Sequence, residues 1–293
     1  MLMPSLERLF EGFLLSREAN QVTDGTLETY RVMYASLVET LPLDALEDAT
    51  RLQSTDLLAW AASMRDRYAT ATRDQRIAKA KAFFNWCHGE GFIPRNPSLG
   101  LQRPRADWQP DPLTEQEVNA LLDAARLGRC GIRNRALVCV LLDSGLRNSE
   151  LCALRPEDVT MSSGQIRIRE ALKQGKPRTV IIGKRAREAL WRWMVVRPDE
   201  AEFLFCTEQG RPLDRIRLRV IISNLGKQAG FRCYPHRLRH TFALMYLKLG
   251  GDPYSLQFLL GHEDMTMTRQ YVKISSQDAT DLYRSPLDSF NTS

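Results

Sequence analysis

Residues 236–240 read His-Arg-Leu-Arg-His, and residues 259–271 read LLGHEDMTMTRQY, ending on Tyr271. Three of the four histidines in the chain, His236, His240 and His262, thus fall within 27 positions. Zinc is a poor fit to them. The metal motif HExxH needs a glutamate directly after its first histidine, whereas Arg237 stands there, and Arg237 and Arg239 would repel a dication. His236 and Arg239, three residues apart, share one face of a helical turn. A neutral imidazole beside a rigid guanidinium fork suits a phosphate whose charge grows in a transition state. His240 has two readings: a packed histidine capping the helix start, which is at least as well founded, and a functional residue. Gly261 is read as ending a helix, His262 as lying at its exit, and Tyr271 as riding on a second short helix.

Upstream, residues 144–151 read SGLRNSEL, with Asp143, Ser144 and Gly145 breaking a helix expected over Arg133 to Leu142 and a new helix beginning just after Arg147. Thr114 stands three residues before Glu117, the pattern of a capping box ahead of an apolar helix. Gln165 to Arg169 and Arg178 to Ile182 alternate apolar and charged side chains, which predicts a β-hairpin with Lys173 at its tip. From about Lys184 onward the pattern is again mostly helical.

The stretch 94–112, PRNPSLGLQRPRADWQPDP, carries five prolines in 19 residues and predicts an extended connector between two domains. Before it, helices are expected over Ser5 to Ser16, Thr26 to Leu41, Ser54 to Tyr68 and Thr72 to Glu90. On the last of these, Ile77, Ala80, Phe84 and Cys87 share an apolar stripe, while Arg73, Arg76 and Lys79 share a basic one. A solvated face is the ordinary explanation of such a basic stripe.

The 293 residues carry 41 basic and 35 acidic side chains, for a net charge of +6 and a pI near 9.1. Residues 1–112 hold 13 basic and 15 acidic groups and residues 113–293 hold 28 and 20, so the excess belongs to the second part. A polyanionic partner fits that asymmetry. The six cysteines form no CxxC pair and are read as buried, reduced thiols rather than disulfides or a zinc site. Ala136 to Leu142 is far shorter than the roughly 20 apolar residues of a membrane span, and the first residues lack the features of a signal peptide. A cytoplasmic protein without membrane association is expected. No GxxxxGK[ST] loop is present, which disfavours an ATP-driven machine.

These boxes together resemble the tyrosine recombinases of the phage-integrase and Xer type, over essentially the whole chain. Gly145, Leu146, Arg147 and Glu150 match the first arginine box; Lys173 corresponds to the hairpin lysine; His236, Arg239 and His240 fill HxxRH; His262 ends the LGH box; and Tyr271 falls on the nucleophile position. The hairpin reads LKQGKP where many members have a second glycine, so Lys176 is a rival to Lys173. The resemblance implies a mainly α fold with a small β-hairpin or sheet. It places a helical, SAM-like core DNA-binding domain over 1–101, a linker over 102–112 and the catalytic domain with its tail over 113–293. It also implies a site-specific recombinase that cuts and rejoins duplex DNA through a 3′-phosphotyrosine, in integration, excision or resolution.

On this reading Tyr271, a phenol with an ordinary pKa near 10, loses its proton as it attacks the scissile phosphate. His236 accepts or relays that proton, or only hydrogen-bonds the phosphate. Arg147 and Arg239 clamp the nonbridging oxygens, with His262 as a further donor; loss of one such donor costs on the order of 3 kcal/mol, about a hundredfold in rate. Lys173 is the candidate acid for the departing 5′ oxygen, its pKa lowered by the two arginines. No metal, ATP or other cofactor is needed. The family implies a clamp around DNA, to which Arg73, Arg76, Lys79, Arg103 and Arg105 are expected to contribute. It also implies four protomers on two duplexes, passing through a Holliday junction, with residues 275–293 docking on a neighbour; a related recombinase or accessory protein is a further candidate partner. No arm-binding domain precedes residue 5, so action at short core sites is expected. The alternatives are a type IB topoisomerase, against which the small helical first domain speaks, and a non-catalytic DNA-binding protein, against which the intact boxes speak. A nuclease or phosphatase lacks its metal or carboxylate pair.

Overall fold

A computed structural model describes residues 4–104, 110–169, 177–261 and 265–275. The chain divides into two compact units, Met1–Trp108 and Gln109–Ser293, and the division falls inside the proline-rich stretch.

The first unit is helical: α1 (Leu6–Ala19), α2 (Asp24–Val38), α3 (Leu43–Glu47), α4 (Ser54–Ser63) and α5 (Thr70–Gly89). Side chains start the first two helices, since Ser5 accepts from the Arg8 amide and Thr23 from the Thr26 amide. The apolar stripe of α5 is buried as expected, and Phe83 joins it. Phe10 stacks on Tyr34 at 4.0 Å and meets Phe83 edge-on at 5.5 Å, so α1, α2 and α5 share one aromatic core. Trp60 of α4 closes it, its indole N–H donating to Ser36 at 3.2 Å. Two expectations differ here. The helix predicted to reach Tyr68 stops at Ser63, with Met64 as its buried C-cap residue, and the chain then turns toward α5. The short helix α3 lies where none was expected.

The second unit contains α6 (Glu115–Ala124), α7 (Gly131–Ser144), α8 (Asn148–Ala153), the strands β1 (Val159–Thr160), β2 (Gln165–Ile168) and β3 (Arg178–Ile181), then α9 (Lys184–Val196), α10 (Arg215–Gln228), α11 (Pro235–Lys248), α12 (Pro253–Leu260) and α13 (Thr266–Ser275). Thr114 and Glu117 make the reciprocal capping pair at the start of α6, at 3.2 and 2.9 Å. Helix α7 is the hub. Its Ala136, Leu137, Val138, Val140 and Leu141 are fully buried, and it packs against α9 and α11. Each large apolar side chain so buried contributes about 1.5–3 kcal/mol relative to exposure.

The expected hairpin is present as β2 and β3, antiparallel, with Ile166 opposite Val180 and Ile168 opposite Arg178. The very short β1 adds a third strand on the β2 side. Lys173 and Lys176 lie outside the described residues, as do Arg105 and His262. All six cysteines are free. Cys87, Cys206 and Cys233 are buried, whereas Cys130, Cys139 and Cys152 are only half-buried, a correction to the uniform burial expected from their apolar neighbours. Among the described residues, no helix is long and apolar enough to cross a membrane.

Candidate active site

Gly145 terminates α7 in the left-handed conformation (φ +61°), which lets the chain reverse within two residues. Leu146 is buried in the core, and Arg147 becomes the extended residue that opens α8. The Arg147 amide donates to Glu150 Oε2 at 2.7 Å, and its Nη1 reaches Glu150 Oε1 at 3.1 Å. The glutamate of the first arginine box thus fixes both the backbone and the side chain of the arginine three residues before it.

Helix α11 starts at Pro235, a favourable first position because the missing N–H is not needed there. Arg239 points inward and is 5% exposed. It donates to Gly145 O at 2.6 Å and to Leu260 O at 2.7 Å, holding the exits of α7 and α12 together. Burial draws this guanidinium down to about 10, still charged at neutral pH. Arg237, on another face, pairs with Asp111 at 3.1 Å and Glu117 at 3.0 Å.

Helix α12 is capped at its start by Asp252 and leaves through Gly261 in the left-handed conformation (φ +64°). Its last carbonyls are taken one by one. Arg178 Nε donates to Leu259 O at 2.7 Å, Arg239 to Leu260 O, and Arg147 Nη2 to Gly261 O. Cations at a helix C-terminus offset both the unsatisfied carbonyls and the negative end of the dipole. Three guanidiniums, from the cap residue of α8, from β3 and from α11, therefore converge on the turn that ends α12.

Tyr271, on α13, is 1% exposed and belongs to a small apolar cluster with Ala243, Leu247, Leu256 and Leu260. Its hydroxyl hydrogen-bonds His240 Nδ1 at 2.6 Å. Burial pushes the phenol up to about 12, with Arg239 pulling the other way. His240 is pulled down to about 4, first by burial and then by His236 and Arg239, so its ring is neutral at pH 7. The sequence reading had His236 accept or relay the tyrosine's proton, or only hydrogen-bond the phosphate, and kept two readings of His240, a cap for the helix start and a functional residue. In the structure His240 lies a turn and a half inside α11 and, among the described residues, places its imidazole on the phenol. The His236 ring stands 6.3 Å from that of His240, held below its ordinary value by burial and then by the charges of Arg239 and Arg147. The i, i+4 spacing of the two histidines carried this signal, but not the position of α13.

The site opens on a groove of about 660 Å³ lined by Arg147, Asn148, Arg215, Arg219, Arg232 and His236. Asn148 donates to the Arg215 carbonyl at 3.1 Å, which ties α8 to the start of α10. Arg215, Arg219 and Arg232 are exposed cations that the motif reading passed over, although the alternation of arginines at 215, 217 and 219 was a visible signal. In the first unit, Arg73, Arg76 and Lys79 are half-buried: Arg76 lies 3.9 Å over the Tyr68 ring and Lys79 4.5 Å over Tyr30. Arg103 forms a two-pronged pair with Asp74, both contacts 2.8 Å. Each of these cations already has a partner inside its own unit.

Guanidiniums gathered beside a neutral imidazole pair and a buried phenol make a centre suited to phosphodiester chemistry. Residues 112–278 match the model of the phage integrase family. The tyrosine recombinase XerC of Xanthomonas campestris pv. campestris is 31% identical over 268 residues, which is 90% of this chain and 83% of the relative. XerD of Oceanobacillus iheyensis is 28% identical over 298 residues, covering 97% and 98%. Among solved structures, a lambda integrase dimer bound to a COC′ core site shares the fold with a TM-score of 0.77 at 19% identity, over 92% of this chain and 77% of that one. The chain belongs to the phage integrase family, as a tyrosine recombinase of integrase and Xer type, an enzyme that breaks and rejoins DNA in site-specific recombination. The topoisomerase and non-catalytic alternatives are not favoured.

Proposed function

We propose that Tyr271 is the nucleophile that becomes joined to a 3′ phosphate of DNA, and that Arg147, His236, Arg239 and His262 hold that phosphate. Lys173 protonates the departing 5′ oxygen, with Lys176 as its rival. What supports the reading is the convergence of Arg147 and Arg239, from segments far apart in sequence, on the α12 exit that runs into His262 and the tyrosine helix. Burial holds the phenol up, at about 12, and the imidazole down, at about 4, so both shifts oppose complete proton transfer to His240 before attack. Tyr271 therefore keeps its proton until the phosphate is in place; as its oxygen bonds to phosphorus and the bond to the 5′ oxygen breaks, the phenol proton passes to an imidazole, His240 on the hydroxyl or His236 as relay. The growing charge on the nonbridging oxygens falls where the guanidiniums already stand.

Arg215, Arg219 and Arg232 carry the flanking duplex on the second unit. Arg73, Arg76, Lys79, Arg103 and Arg105 add backbone contacts from the first, where Arg103 must exchange Asp74 for a phosphate. Four protomers acting on two sites in the cytoplasm, with residues 275–293 docked on a neighbour, complete the reading.

The test is covalent capture. The protein is incubated in EDTA with a nicked suicide duplex whose site has been selected from a random-sequence library, and the DNA adduct is measured for the wild type and Tyr271→Phe. An adduct in the wild type alone is expected; one that survives the substitution, or one that needs a divalent metal, overturns the mechanism. Lys173→Ala and Lys176→Ala are then compared on a 5′-phosphorothiolate, whose thiolate leaves without a proton, so only the defect of the true acid is rescued.

A further inference from the structure

Arg178 opens β3, and strand alternation puts it on the same inward face as Val180. Its side chain is 2% exposed and that of Glu150 is 1% exposed. All three kinds of guanidinium nitrogen are engaged: Nη1 with Glu150 Oε1 at 2.8 Å, Nη2 with Glu150 Oε2 at 2.9 Å, and Nε with Leu259 O at 2.7 Å. Glu150 also accepts from the Arg147 amide and from Arg147 Nη1. Its carboxylate thus holds four donors, about its full capacity. Burial alone would raise the Glu150 carboxyl; the hydrogen bonds and charge of Arg178 more than offset this and keep it ionised.

The two arginines share one carboxylate unequally. Arg178 takes the parallel two-pronged geometry, the preferred arginine–carboxylate arrangement, which leaves Arg147 a single side-chain contact at 3.1 Å. Were Arg178 absent, a buried carboxylate with one remaining guanidinium neighbour would draw Arg147 into that two-pronged pair and away from the groove. Gly261 is part of the same packing. A Cβ there would stand 2.9 Å from Arg178 Nη1 and 3.1 Å from Arg147 Nη1, so a side chain at this position would push the guanidiniums back from the α12 exit.

We propose that Arg178 is a positioning residue for recombination: by occupying the Glu150 fork and the Leu259 carbonyl, it keeps Arg147 half-engaged and aimed at the scissile phosphate. In sequence it lies two residues after Lys176 and five after Lys173, and its bond to the Leu259 carbonyl fixes β3 to the end of α12. The proposal rests on Arg147 acting as a phosphate clamp.

The experiment measures adduct formation by the full chain on suicide duplexes carrying either the ordinary scissile phosphate or a methylphosphonate, which lacks one nonbridging charge and so needs less of the clamp. Wild type, Arg178→Met, Arg178→Lys and Arg147→Ala are compared as the ratio of methylphosphonate to phosphate rates. Arg178→Met is expected to lose roughly tenfold to a hundredfold on the phosphate, the size seen when the supporting partner of a reactive-centre group is removed. Its rate ratio should rise in the same direction as that of Arg147→Ala, and Arg178→Lys, which has no fork, should recover little of the loss. Equal losses on both substrates, or an unchanged rate on the phosphate, would overturn it. If Arg178→Met does not fold, Arg178→Lys, which keeps the buried charge but has no fork, is read in its place; a raised ratio there supports the proposal, and a wild-type ratio refutes it. Should Arg147→Ala itself keep the wild-type ratio, the clamp reading fails; should Arg147→Ala alone show the raised ratio, only the role of Arg178 fails.

Discussion

Alanine at position 145 meets two separate obstacles. The residue sits at φ +61°, where a Cβ costs about 1–3 kcal/mol. That Cβ would also stand 2.3 Å from Phe242 Cδ1 and 2.9 Å from Leu260 Cδ2, well inside contact distance, and overpacking of this kind costs about 1–3 kcal/mol more. The sum for Gly145→Ala is on the order of 3 kcal/mol. For a unit the size of Gln109–Ser293, each 1 kcal/mol moves the melting temperature by about 2–4 °C, giving a drop of about 6–12 °C. Gly128 is the internal control: its φ is +76° but nothing lies within 4 Å of its added Cβ, so Gly128→Ala meets the strain alone, about half of the sum, and should lose about 3–6 °C. Scanning calorimetry or near-ultraviolet circular dichroism of the two variants and the wild type measures both. Equal losses for the two substitutions would refute the packing half of the reasoning, and a Gly145→Ala protein melting within 2 °C of wild type would refute all of it. Because the Gly145 carbonyl is also an acceptor for Arg239, the surviving folded fraction should cleave DNA slowly.

Thr241 accepts from the Leu113 amide at 2.8 Å and ties the entry of the second unit to α11; Thr241→Val should cost about 1–3 kcal/mol in urea unfolding, and a loss below 0.5 kcal/mol would show that this contact is not holding the segment. His240, at about 4 in the folded protein against an ordinary 6.5, stays neutral where the unfolded chain is protonated, so its contribution to stability is complete above 6.5 and is lost as pH falls from 6.5 toward 4. Its imidazole proton resonances should begin to move only near pH 4, and a midpoint at or above 6.5 would contradict the buried, neutral ring bonded to Tyr271.

Much of this architecture is legible in the sequence because its decisive features are local. Asp143-Ser144-Gly145 interrupts an apolar helix, and a turn with a left-handed glycine is the physical result. Alternation in Gln165 to Arg169 and Arg178 to Ile182 gives two strands, while β1, two residues long, is too short to show any period. The end of α4 was missed because apolar spacing continues past Ser63 although the backbone turns at Met64. For the site, the boxes named the residues, and their partners depend on contacts between distant segments. The sequence could not say that His240 meets Tyr271, since that requires the angle between α11 and α13. Arg178 was legible in part: a charged residue on the inward face of an alternating strand requires a buried partner, and Glu150 is that partner.

The row of carbonyls at the end of α12 has a consequence for when the enzyme becomes dangerous to DNA. Its three guanidiniums arrive from positions 114, 81 and 21 residues away along the chain, and Arg239 bridges a further 94 residues to Gly145. Contacts with such long closing loops form late in folding, after the local helices. On the proposed assignment, a chain that has not closed these loops lacks the assembled clamp for a phosphate even where Tyr271 is present. Competence to cut DNA, on the same proposed assignment, is thereby tied to connections in the second unit that span up to 114 residues.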